Sequence, residues 1–396
     1  MKRLHLLYIY SGEAESSILQ VLSSRYSVQM YRAGKGYMPK EENWDLVVFQ
    51  DRVLERLHKK IRHTLEKYPG LFISTSSSIE GYIAPASNLF GAINLSNAAL
   101  ALFGIPEEMQ LRIPRPAQKT TDCYFYEPQP EICRIVYCPT GNDILENDFK
   151  LISFVQKSNA VLTIVSDRYM ALANAFPPFV HIVPDKSWLA VFKKAHLVVA
   201  SGYNAVCALA LCKPCIILGD CGLGGMVTIA NYEQLQSVFF SGRKGASPGE
   251  IVPADLLDVE ICKVFLENYQ ETTRFIQKKV LQTYGIDRFS EQLTEEIERI
   301  IDLSVTMKNR TKRLALKPFW SSIFRIEEVE NKEYMMRGMQ CFGEIEKEMS
   351  DLLKQCNGSF SIQALIEQNN FEPKEASMLW ENLYELWKEK LILFKL

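Results

Sequence analysis

Along most of the chain, short apolar runs alternate with amphipathic stretches. The runs Leu4–Tyr10, Ser27–Tyr31, Asp45–Phe49 and Leu71–Ser74 predict strands, and Glu13–Ser24 and Val53–Tyr68 predict helices between them. INLSNAALALFGIPEEMQLRIPRP then reads as strand, helix, turn and strand. A second series follows, with strands at Cys133–Cys138, Val161–Val165, Phe179–Val183, Leu197–Ala200 and Cys215–Leu218. Helices at Asp148–Lys157, Trp188–Lys194 and Asn204–Leu211 separate several of them. Strands that are apolar nearly throughout need cover on both faces, which is the condition of a parallel sheet. Two such series predict an α/β protein with two Rossmann-like, doubly wound domains facing a cleft.

The pattern changes after the second series. Leu256–Ser304 is mostly helical, and Thr120–Pro130 is polar and proline-bearing, as a linker would be. KNRTKRLALK, residues 308–317, reads as a solvated linker, with a phosphate or acidic-partner patch as the alternative. The chain then predicts helices at Ile345–Cys356, Ser361–Asn369 and Pro373–Lys390, and a terminal strand at Leu391–Leu396. Ser361 is placed to cap the second helix and Pro373 to start the third. The expected domains are therefore residues 1–125, 126–305, a linker at 306–330, and a small winged-helix module at 331–396.

Composition narrows the function classes. A net charge of −2 over 396 residues gives no electrostatic basis for a nucleic-acid partner. No apolar run approaches the roughly 20 residues that span a bilayer. The start, MKRLHLLYIYSGEAESS, lacks a small-residue cleavage site and reads as a buried strand. Ten cysteines scattered through strand-like runs suit reduced, buried thiols, so a cytoplasmic protein is expected.

The chemistry concentrates in LALCKPCIILGDCGLGG, residues 209–225. Cys212 and Cys215 have the spacing of a metal or redox pair. A structural zinc needs four ligands, however, and an exchanging thiol usually heads a helix rather than a strand. Buried thiols are the favoured reading. Just upstream, a Ser201-Gly202 turn opens the helix at Asn204, aiming free backbone N–H groups and the positive end of the helix dipole at one spot. Gly222–Gly225 is expected to be a glycine loop at the same carboxyl edge of the sheet. Read blandly, both are ordinary turns of an α/β domain.

With those residues in view, AHLVVASG and ALALCKPCII resemble the donor domain of GT-B glycosyltransferases. LSNAALALFGIPEEMQLRIPRP is similar to the stretch where such enzymes leave their first, acceptor-side domain, and the resemblance runs from residue 1 to about 300. It implies a nucleotide-sugar donor held by Ser201, Gly202, Tyr203 and Asn204, with Gly224 and Gly225 near the sugar or phosphates. Arg243 and Lys244 would neutralise the leaving diphosphate; a solvated turn is the equal alternative. The chain departs from the family pattern where Cys207 replaces a ribose-holding glutamate, Cys212 a glycine and His196 an aspartate. Without an Asp-x-Asp motif the expected chemistry is metal-independent, with no cofactor.

An inverting transfer needs a general base, and Glu13, Asp51 and Glu80 are candidates at strand ends, each with a structural or solvated role as the alternative. His196 is expected within a strand, and His58 and His63 on a helix face, none of them catalytic. The terminal stretch resembles PqqD-like peptide-binding winged helices through Asn357-Gly358, Ile362–Ile366 and Leu383–Ile392. That resemblance implies a leader peptide adding a strand to a sheet built from SSIFRIEEVE and YMMRGMQCF, and a generic winged helix is the alternative. The expected function is sugar transfer from a nucleotide sugar to an acceptor, with a peptide as the candidate acceptor. The competing reading is a non-catalytic adaptor of the same fold in a peptide-modification system.

Overall fold

The computed structural model describes residues 3–34, 43–51, 53–75, 87–95, 105–117, 132–139, 145–247, 249–266, 269–337 and 340–396. The chain divides into one unit of residues 1–114 and 290–396 and a second of residues 115–289. Glu80, the helix expected after Asn94 and the Thr120–Pro130 linker lie outside the described residues.

The first unit opens with β1 (His5–Tyr10), α1 (Ser16–Arg25), β2 (Ser27–Arg32), β3 (Leu46–Gln50), α2 (Val53–Arg56) and α3 (Lys59–Leu65). It continues through β4 (Gly70–Ser74), β5 (Leu89–Asn94) and β6 (Gln110–Arg112). The strands form one sheet in the order β2-β1-β3-β4-β5-β6, parallel throughout. Every residue of β3, β4 and β5 is buried, which is why β3 and β4 read as unbroken apolar runs. The expected helix over Val53–Tyr68 is broken. His58 takes an extended conformation (φ −61°, ψ 140°), and its ring accepts the Lys60 N–H at 3.3 Å, capping α3. His58 therefore sits at a helix start rather than on a helix face, whereas His63 does lie on α3 and pairs with Glu66 at 3.1 Å.

The second unit runs β7 (Cys133–Tyr137), α4 (Leu145–Lys157), β8 (Ala160–Val165), β9 (Val180–Val183), α5 (Trp188–Lys194) and β10 (Leu197–Ala200). Then come α6 (Gly202–Ala210), β11 (Cys215–Gly219), β12 (Gly222–Met226), α7 (Tyr232–Ser237), α8 (Ala254–Leu266) and α9 (Gln270–Tyr284). Its sheet has the order β9-β8-β7-β10-β11-β12. Numbered within the unit, that is 3-2-1-4-5-6, the Rossmann order, with its reversal between β7 and β10. One face packs Phe192, Val206, Leu209 and Ile276 of α5, α6 and α9; the other packs Leu151, Val155, Leu257 and Ile261 of α4 and α8. The unit is doubly wound.

Gly222–Gly225 is not a loop. It is most of β12, which folds back antiparallel on β11 with Gly219 opposite Gly222 and Ile217 opposite Gly225. Gly222 (φ +73°) and Gly225 (φ +80°) hold the left-handed backbone that this tight, bulged hairpin requires.

Beyond the second unit, α10 (Ile286–Lys308) carries the chain back to the first. It packs on β5 against Gly91, where a side chain would have to displace the ends of Glu296 and Ile300. A Cβ on Gly91 would stand 2.5 Å from Glu296 Oε1 and 3.0 Å from Ile300 Cδ1. Glu296 is almost fully buried and pairs with Arg299 at 2.7 Å, while Arg299 also donates to Phe90 O at 3.3 Å. Gly91→Ala is therefore expected to destabilise the protein by about 1–3 kcal/mol. Gly12→Ala, at a position with nothing within 4 Å, should leave the unfolding midpoint unchanged. Chemical denaturation of the two variants checks this, and equal midpoints would show that α10 does not bear on β5.

The stretch 306–330 holds the end of α10, a 3-10 turn at Lys312–Ala315, β13 (Lys317–Trp320) and β14 (Phe324–Val329), so it is not only a linker. After it come β15 (Lys332–Arg337), β16 (Gln340–Ile345), α11 (Lys347–Gln355), α12 (Ile362–Gln368), α13 (Pro373–Lys388) and β17 (Ile392–Lys395). Strand β17 pairs antiparallel with β13, and β14-β15-β16 form a separate antiparallel meander. Ser361 Oγ accepts the Ala364 N–H at 3.1 Å, and Pro373 opens α13 behind a Glu372/Glu375 capping box. Leu393 of β17 is buried with Leu7, Val47 and Phe72 of the first sheet, so this segment shares the core of the first unit.

Candidate functional site

In open α/β sheets, ligands bind outside the carboxyl ends of the strands where the strand order reverses. In the second unit that point lies beyond β7 and β10. Strand β10 ends at Ala200, Ser201 stays extended (φ −138°, ψ 173°), and Gly202 turns left-handed (φ +53°) to start α6. The Gly202 N–H donates to Phe240 O at 3.0 Å, which fixes the turn. Ser201 caps the helix by position, yet its side chain makes no capping hydrogen bond. The Asn204 amide is a first-turn donor with no acceptor among the described residues. Asn204 is half-buried, and its side chain has no hydrogen-bond partner among the described residues. The rest of α6, from Ala205 to Ala210, is buried and apolar, so the polar chemistry of the helix is confined to this end.

Gly219, which the sequence reading passed over, makes this turn possible. A Cβ there would lie 2.5 Å from Ser241 O, 2.6 Å from Ser201 Cβ and 2.8 Å from Ser201 Oγ. The same Ser241 carbonyl accepts the Cys221 N–H at 3.0 Å, and Cys221 O accepts from Arg243 N at 3.0 Å. The 241–243 backbone thus laces the β11–β12 hairpin to the start of α6. The one sequence signal was a glycine closing an apolar strand.

The remaining expected donor residues divide. Tyr203 donates its hydroxyl to Pro116 O at 2.7 Å, and the Arg115 guanidinium lies 4.9 Å from its ring centroid, so it braces the 115–117 segment. Gly224 and Gly225 pack along β11: a Cβ on Gly224 would meet Leu235 Cδ2 at 2.8 Å, and one on Gly225 would meet Glu260 Oε2 at 3.1 Å. Gly222, not these two, stands level with Gly219 at the strand end. Arg243 donates to both Glu250 carboxylate oxygens, at 2.9 and 3.1 Å, while Lys244 is exposed.

Cys207, Cys212 and Cys215 belong to the core, whereas Cys221 is half-buried and Cys262 and Cys341 are exposed, against the expectation of buried thiols. Cys207 is 2% exposed, and burial pushes its thiol up to about 12. Burial also raises Cys215. Cys212 occupies the left-handed position just past α6 (φ +57°), where glycine is usual. Lys213, between them, is buried and donates to Lys193 O and Ala195 O at 2.9 Å each, which ties it to the carboxyl end of α5. Burial lowers that amine to about 8. His196 stands one residue ahead of β10 rather than inside it, and its Nδ1 accepts the Arg134 N–H at 3.1 Å.

The first sheet has its own reversal, between β1 and β3, and two expected carboxylates stand there. Gln50, the last residue of β3, accepts from the Tyr8 hydroxyl and from Glu15 N. Its amide nitrogen donates to Glu13 O at 3.0 Å and to Asp51 Oδ2 at 3.1 Å. Asp51 (φ +53°) also accepts Thr75 N and Thr75 Oγ1, both at 2.7 Å, so both its oxygens are engaged. Glu13 is exposed, and its carboxylate has no partner among the described residues. Burial holds the Tyr8 phenol well above its ordinary range, so it serves as a fixed donor to Gln50. Gln50 was the residue missed here; its signal was a polar side chain closing the apolar run VVF.

No family model matches this chain, and no match was found among curated proteins. Among solved structures it is similar to the lipopolysaccharide outer core galactosyltransferase WaaB, at 11% identity and a TM-score of 0.46, covering 76% of this chain and 100% of that one. It is similar to HepE of Anabaena in complex with UDP and glucose, at 12% identity and a TM-score of 0.45, covering 75% and 100%. It is also similar to UDP-GlcNAc 2-epimerase from Neisseria meningitidis bound to UDP-GlcNAc, at 11% and 0.42, covering 74% and 100%. Likenesses this distant transfer no residue roles, and the site assignments rest on this chain's own geometry.

Proposed function

We propose that the protein is a GT-B-type glycosyltransferase that moves a sugar from a nucleotide-sugar donor to an acceptor hydroxyl without a metal ion. The observation that carries this reading is the start of α6. The Asn204 N–H, the Ser201 hydroxyl and the Asn204 side-chain amide, none with a hydrogen-bond partner among the described residues, stand at the strand-order reversal of a Rossmann-ordered sheet. In this reading those donors hold the donor's diphosphate and stabilise the charge that builds on it as the glycosidic bond breaks. Glu13, whose carboxylate is open, is the general base for the acceptor hydroxyl; Asp51, with both oxygens engaged, orders its surroundings instead. Lys244 is available to the leaving diphosphate, whereas Arg243 would first have to leave Glu250. No carboxylate replaces the ribose-holding glutamate, because Cys207 is buried and keeps its proton. Donor grip falls to Ser201, Asn204 and backbone.

The carboxyl-terminal segment is proposed as a PqqD-like winged helix that presents a peptide acceptor. In support, β14 and β16 of its meander are each paired on one side only, leaving edges to which a peptide strand can add. The buried Cys207 and the Arg243–Glu250 pair favour the second reading, a non-catalytic adaptor that keeps the fold without turnover.

Thermal unfolding against a panel of nucleotides and nucleotide sugars tests the first reading. A ligand at about 100 times its Kd adds roughly 2.7 kcal/mol to stability. One or more nucleotide sugars should raise the midpoint of the wild type, and Asn204→Ala should lose most of that shift. Incubation with acceptor should release nucleoside diphosphate, and Glu13→Gln should slow that release by about 10²-fold or more. Absence of any shift sinks the enzyme reading, and a shift without release favours the adaptor.

A further inference from the structure

A pocket of about 470 Å³ lies at the amino edge of the first sheet, against the turns that lead into β4 and β5. This is the edge opposite the one where such sheets take their ligands. Its far wall is α13, where Trp380, Tyr384 and Trp387 follow at spacings of four and three residues along one helix face, the two tryptophans buried and Tyr384 between them half-buried. The three rings stack in sequence, with centroids 5.7 and 5.5 Å apart and interplanar angles of 25° and 17°.

The same pocket is lined by Lys67, Lys308, Arg313 and Lys388, with Glu66 as the one lining carboxylate. Lys388 is paired with Glu385 at 2.6 Å and Lys67 has interactions of its own, which leaves Lys308 and Arg313 as the lining cations without an ion pair among the described residues, with the Glu66 carboxylate opposing them. Both come from the basic stretch 308–317, for which the sequence left a phosphate patch as the alternative to a linker. Arg313 lies 4.6 Å from the Trp380 ring centroid; partial burial and the like charge of Arg310 disfavour its charge, and Glu381 opposes them more weakly from outside ion-pairing distance. No carboxylate stands within ion-pairing distance of Arg313 among the described residues. A guanidinium seated on an indole keeps in-plane N–H donors for an anion, in the forked geometry that suits phosphate.

We propose that this pocket binds a phosphate ester carrying a ring, of the size of a nucleoside monophosphate or a sugar phosphate. The ring lies against the aromatic wall and the phosphate meets Arg313 and Lys308. The volume falls in the range of small-molecule sites and is too small for a folded partner. Nothing here depends on the donor site at α6, because every lining residue belongs to the first unit.

The test is calorimetric titration of the full chain with uridine monophosphate, glucose 1-phosphate and inorganic phosphate. At least one ester should bind, with inorganic phosphate at least tenfold weaker because it has no ring to stack. Arg313→Glu and Lys308→Glu should each weaken the ester about tenfold or more, while Asn204→Ala leaves it unchanged. Lys308 is exposed, so its variant keeps the test valid should Arg313→Glu unfold. A preference for the uridine ester or for the sugar ester identifies the source, and either supports the proposal. Binding of neither ester, binding indifferent to both charge reversals, binding lost on Asn204→Ala, or inorganic phosphate binding as tightly as the esters would each overturn it.

Discussion

Gly219→Ala is expected to remove nucleotide binding and to lower the unfolding midpoint in one step. The added methyl would stand 2.5 Å from Ser241 O and 2.6 Å from Ser201 Cβ. Neither contact is the far end of a flexible side chain. One is backbone already bonded to Cys221 N–H, and the other is the residue that starts α6. Relief must come from moving the 241–243 backbone or the helix start, at about 1–3 kcal/mol. For a unit of this size that lowers the midpoint by roughly 2–12 °C. Because the displaced groups are the proposed donor-holding ones, the ligand-induced shift should vanish even where the protein remains folded. A folded Gly219→Ala variant that binds nucleotide sugar as the wild type does would show that the start of α6 is not the site.

The second large effect concerns Lys390, which is fully buried just past α13. Its amine donates to Ser87 O at 2.9 Å and lies 3.9 Å from the Trp387 ring centroid, with no ion pair among the described residues to offset burial. Burial lowers this amine from 10.5 to about 7, against a smaller opposing pull from Glu389. Between those values the unfolded chain holds a proton that the folded chain has released, so stability rises with pH across that window and falls as pH drops toward 7. One such group contributes a slope of about 1.4 kcal/mol per pH unit. Lys390→Met removes the slope while leaving the left-handed backbone at 390 (φ +61°) as strained as before. Relative to the wild type, the variant should gain about 2–3 kcal/mol as pH falls from 9.5 to 7.5. Denaturant unfolding at several pH values reads this directly. A wild-type-to-variant difference that does not move with pH would mean that the amine stays charged inside the fold.

Much of the fold was legible from local pattern. The fully buried strands β3, β4, β10 and β11 read as unbroken apolar runs, β5 was expected only from Ile93, and the Ser361 cap and Pro373 start marked α12 and α13. Legibility failed where a contact distant in sequence decided the outcome. Gly222–Gly225 reads as a loop because four residues with three glycines have little strand propensity, yet pairing with β11 makes it a strand. The break at His58 turned on a side chain capping two residues ahead, which competes with helical continuation in a way the apolar period does not register. At the proposed site, the placing of Ser201 and Asn204 at a helix start was legible because a strand–turn–helix puts its own helix start at the sheet edge. Gly219 was not, because its requirement comes from Ser201 and Ser241, some twenty residues away on either side.

By itself the sequence determined two α/β series, the helix opening at Ser201-Gly202, and the crowding of basic residues at 308–317. These follow from side-chain period and backbone permissiveness, which are properties of neighbours along the chain. Only the tertiary structure decided the strand order, and with it the reversals at β7/β10 and β1/β3 that make two strand ends into candidate sites. It supplied the burial behind the favoured reading of Cys207, Cys212 and Cys215 as core thiols, and with it the raised thiols of Cys207 and Cys215, which spacing does not set. It also gathered Lys308 and Arg313 with the aromatic face of α13, more than sixty residues further on. Long-range packing makes such meetings, and no local pattern of polar and apolar residues encodes them.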